Sequence, residues 1–103
     1  MGNIREQIAQ NIQEIDEVVE MFYQQKTQEA YTKLDPVLGN LLAAIDAVVA
    51  YQQEHSEIEI DINGLTEALK EALSAIEEKD AILMADVLKY EVVEKLETMM
   101  SVL

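Results

Sequence analysis

No cysteine occurs anywhere in the chain, which excludes disulfides, thiolate metal sites and cysteine nucleophiles and leaves the fold to stand on packing. Histidine appears once, as His55. Helical bundles can hold two metal ions with a Glu from each of two helices and a Glu-x-x-His motif from each of the others. Here the residue three before His55 is Gln52, so the motif does not occur even once, and no metal or other cofactor is expected. The three glycines, Gly2, Gly39 and Gly64, lie too far apart to build a phosphate-cradling loop. Ser56, Ser74 and Ser101 have no strand-turn-helix setting of the kind that activates a serine. These absences predict a protein that is not an enzyme.

Positive charge is also scarce. Seven Lys and Arg stand against 21 Asp and Glu, for a formal net charge of −14, and the excess is spread over both halves of the chain. Such a surface repels nucleic-acid phosphates and anionic headgroups, and no basic patch overrides the field, so neither nucleic acid nor membrane is an expected partner. The most apolar run, Leu41 to Tyr51, is interrupted by Asp46 and falls short of the ~20 residues that span a bilayer. The N-terminal residues Met1 to Glu6 carry neither a signal-peptide core nor a myristoylation signal. A cytoplasmic location is the resulting expectation.

What the chain does contain is apolar residues at helical spacing. Half of it is hydrophobic and 27% charged, the balance of a globular domain, and 103 residues suit one domain spanning 1–103. Ile4, Ile8, Ile12, Ile15, Val18, Val19 and Phe22 repeat at three- and four-residue intervals with acidic residues between them. That spacing predicts a helix over about 4–25 with one face buried. The polar Gln24 to Thr27 makes a reversal, with Thr27 able to cap a second helix over about 28–54. Asp35-Pro36 lies inside that segment. Such a pair also serves as cap and first residue of a helix, but Ala30, Tyr31 and Leu34 share a stripe with Leu38 and Leu41, which predicts a continuous helix kinked at Pro36.

Ile58, Ile60 and Ile62 alternate with acidic residues, a strand period without a second strand to pair with. They are expected to form an extended connection across the end of the core. Asn63-Gly64 then offers a start for a third helix over about 64–78, and Asp80 a cap for a fourth over about 81–101. The expected fold is all-α, a single antiparallel four-helix bundle.

The fourth segment carries the functional signal. Ile82, Ala85, Leu88, Val92, Val93, Leu96, Met99 and Met100 supply a face for the core, while Leu83, Val87 and Tyr90 form a second stripe about 100° or more away. One core face does not need both. The second stripe, with Asp86 at its edge, is a candidate partner-binding surface for a second copy of the chain or for a client helix. Asp46 and Asp86 stand in the most apolar parts of their helices. Either they reach water or a nearby Lys or Tyr at the stripe edge, or they are buried carboxylates with raised pKa values.

The run Asp80-Ala81-Ile82-Leu83-Met84-Ala85-Asp86-Val87-Leu88-Lys89-Tyr90-Glu91 resembles the C-terminal signature, D-x-[IV]-L-x-A-D-x-L-x-Y-E, of small uncharacterised helical proteins from Firmicutes. The likeness covers residues 63–103 best and brings no activity with it. In size and style the bundle is also similar to flagellar export chaperones, which hold an apolar helix of a client. Two functions follow as expectations. The first is a non-enzymatic protein-binding or assembly module, chaperone-like, acting through the extra face of the C-terminal helix as a homodimer or on a client. The second is a small-ligand or regulatory domain with a pocket between helices near Asp46, Asp86 and Tyr90.

Overall fold

A computed structural model describes residues 3–103; Met1 and Gly2, the first two residues of the expected domain, lie outside the described residues. Helix α1 spans Ile4–Tyr23. The Asn3 side chain accepts from the Glu6 backbone N–H at 2.8 Å, satisfying one of the free donors at the helix start. Its buried face is Ile8, Asn11, Ile15, Val18, Val19 and Phe22; of the expected residues Ile4 and Ile12 are only partly buried against it, and Asn11 is an addition. That amide is inside because its Nδ2 donates to the Asn40 carbonyl, 3.5 Å away on the next helix.

The reversal after α1 is closed by Gln25 in the left-handed region, φ 65°, with the Lys26 N–H donating five residues back to the Met21 carbonyl. Helix α2 then runs without a break over Thr27–Glu54. Thr27 is its first residue rather than its cap: the position before it is Lys26, which makes no side-chain capping bond. Pro36 sits inside the helix. Proline removes the bond to the carbonyl four residues back, here that of Thr32. Thr32 and Pro36 both lie on the exposed side, where water can take up the freed carbonyl. The core stripe of Ala30, Leu34, Val37, Leu41, Ala44 and Val48 passes the proline unrotated.

Residues 55–61 connect to the third helix without forming a strand. Ile60, with Ile62 beyond it, packs on the core, as an alternating segment does when one side of an extended chain rests on an apolar surface. Helix α3 spans Ile62–Glu77 and starts two residues earlier than Asn63-Gly64 suggests. The reason is Asp61, whose side chain accepts from the Gly64 N–H at 2.8 Å and pairs with Lys95 at 3.0 Å. After α3 the first reversal motif recurs: Lys79 takes φ 60° and the Asp80 N–H reaches the Ala75 carbonyl.

Asp80 caps the fourth helix as its sequence predicts, accepting from the Leu83 N–H at 3.0 Å. This helix is continuous but not uniform. It comprises α4 over Ala81–Val87, a π-helical turn over Leu88–Val92 and α5 over Val93–Val102.

The four helices form an antiparallel bundle in which α1 lies between α2 and the fourth helix, and α3 packs along α4 and the π turn. Helix α2 packs chiefly on α1. The domain is therefore long and flattened, 42 × 27 × 18 Å, its longest dimension matching the rise of the 28-residue α2. Phe22, Ile8, Ile15, Leu41, Leu65, Met84, Leu88 and Leu96 fill the centre. Over an 18-residue window α2 reaches a mean hydropathy of 1.4, long and apolar enough by those measures to cross a membrane, contrary to the shorter run picked out in the sequence. Its Leu34, Leu41 and Val48 belong to the bundle core, but only 28% of that window is buried in the bundle.

Candidate functional site

The structure separates the four residues expected to bind a partner. Leu83 is 44% and Tyr90 60% exposed, but Val87 is 5% exposed and belongs to the core. Ile82, expected to face inward, is instead 51% exposed. The cause is the π turn. A π turn closes i to i+5 rather than i to i+4, so it takes in one extra residue and rotates everything after it by about 100° relative to an uninterrupted α-helix. Before the turn the inward residues are Met84, Ala85, Val87 and Leu88; after it they are Val92, Val93, Leu96 and Met99. Drawn on one regular helix these sets fall on two stripes. Folded, they make one core face. The second stripe is thus partly a register shift, and Leu83, Val87 and Tyr90 do not form a common outer ridge.

Asp86 is half-buried and accepts a short hydrogen bond from the Tyr23 hydroxyl at the end of α1. That bond, then burial, the Asp86 charge and the nearby Tyr90 push the Tyr23 pKa up to about 12, so the phenol is a permanent donor at neutral pH. Lys89 lies 5.6 Å from the Tyr23 ring centre and 5.3 Å from that of Tyr90, close enough for cation–π attraction. Asp86 therefore fastens the π-turn end of the fourth helix to α1.

Asp46 is exposed on α2, which packs chiefly on α1. Asp46, Asp86 and Tyr90 line none of the five prominent surface cavities of the described residues. His55 is half-buried, stacked on Tyr51 with ring centres 4.1 Å apart, and its Nδ1 lies 3.1 Å from the Tyr51 carbonyl, which makes it part of the end of α2. Among the described residues no group of three or more His, Asp or Glu converges as a metal ion requires.

A different feature gathers side chains from two elements. Between α3 and α4 runs an open groove of about 310 Å³, with Leu83 and Val87 on the α4 side and Glu67, Glu71 and Glu78 along α3. Glu91, in the π turn, has its pKa raised by a hydrogen bond with Glu71, by burial and by the charges of Glu71 and Glu94, against the opposing effect of Lys95. Glu71 and Glu91, from different helices, therefore compete for one proton; Glu71 lines the groove, and Glu91 is not among its lining residues. The α3 side of this groove was not anticipated from the sequence. Its signal was present as the spacing Glu67, Glu71, Glu78, which reads as an ordinary solvated face until α4 is placed beside it.

The chain belongs to the family described as Domain of unknown function (DUF8042), whose model matches residues 1–102. No curated protein and no solved structure matches it.

Proposed function

We propose that this member of a family of unknown function is a non-enzymatic protein-binding module, chaperone-like in style, that receives a partner on the outer side of its C-terminal helix. The observation that carries the reading is Leu83, a large apolar side chain turned to solvent at the edge of a groove, with Ile82 and Tyr90 also exposed on the same helix. A monomer with a filled core gains nothing from such residues on one helix, whereas a partner that covers them gains apolar burial. The groove is open and small, which suits a side-chain ridge better than an enclosed ligand. Between the two kinds of partner, a client is favoured over a second copy, because each copy carries −14 and the groove is edged by carboxylates that would meet another acidic surface.

A photo-cross-linking phenylalanine analogue placed at Leu83, and in a separate variant at the exposed Asp46, tests this in the native cell. A covalent protein adduct from position 83 and none from position 46 is expected, and an adduct of twice the chain mass would identify the partner as a second copy. No adduct from position 83, or equal labelling from both, would remove the reading.

A further inference from the structure

We draw no further inference here: the strongest candidate, the apolar outer side of α2 around the exposed Leu42, carries nothing because nothing in the structure shows what covers it.

Discussion

Helix α2 and the fourth helix each carry an irregularity, and the two behave oppositely. Pro36 is the more conspicuous in the sequence, yet α2 keeps one core stripe from Ala30 to Val48. Proline subtracts a hydrogen bond and adds no residue, so side-chain directions beyond it are preserved. The π turn over Leu88–Val92 contains neither proline nor glycine. It leaves the chain helical but inserts a residue into the turn, and the whole of α5 is rotated. An interruption that can be seen in the sequence may not be assumed to be the one that redirects a helix; residue count per turn decides that.

The largest test of this contrast deletes one residue from each helix. Removing Gly39 from α2 should turn the half of its stripe beyond Leu38 away from α1 and abolish cooperative unfolding. Removing Lys89, exposed in the π turn, should convert the turn to regular α-helix with both core sets still inward, at a cost of no more than about 2 kcal/mol. Thermal melts followed by circular dichroism measure both, and equal damage from the two deletions would break the comparison.

Substitutions on either side of the groove sharpen it at the level of single side chains. Val87→Glu puts a carboxylate into the core and is expected to unfold the domain or to cost more than about 3 kcal/mol. Leu83→Glu, four residues earlier and exposed, should change stability by less than about 0.5 kcal/mol. Chemical denaturation distinguishes these. Similar losses would return Leu83 and Val87 to a common environment.

The smallest expected effect concerns the bond that holds the π-turn end to α1. The folded Tyr23 pKa of about 12 lies above its ordinary value of 10.0. The native state therefore holds that proton more tightly, and the stabilisation is complete below about pH 10 and lost as pH rises through 12. Because Tyr23 is partly exposed, solvent screening keeps the effect small. Melting temperature should fall over that window in the wild type and fall less in Tyr23→Phe; identical profiles would show that the bond is absent in solution.

Legibility differs along the chain for physical reasons. Helix α1 was legible in outline because most of its buried set repeats at regular spacing; its Asn3 cap, though local, was not anticipated. The caps at Asp61 and Asp80 are likewise local, though Asp61 was hidden by the stronger-looking start at Asn63-Gly64. Asp86 was legible as a carboxylate at a stripe edge reaching a nearby Lys or Tyr, but the identity of Tyr23 was not, since 63 residues separate the two. The groove was invisible for the same reason: Glu67 and Glu71 come to lie beside Leu83 only when α3 and α4 are packed side by side.

By itself the sequence determined the number of helices, the all-α class and the antiparallel order, since apolar periodicity, caps and short reversals are encoded within a few residues of where they act. It also determined the acidity and the absence of thiolate or multi-histidine chemistry. Tertiary structure alone decided which apolar residues of the fourth helix are core and which are surface, because the inserted π residue lets Val87 and Leu88 before it and Val92 and Val93 after it all be buried. That packing turns two apparent stripes into one face, and leaves Leu83 beside a row of carboxylates.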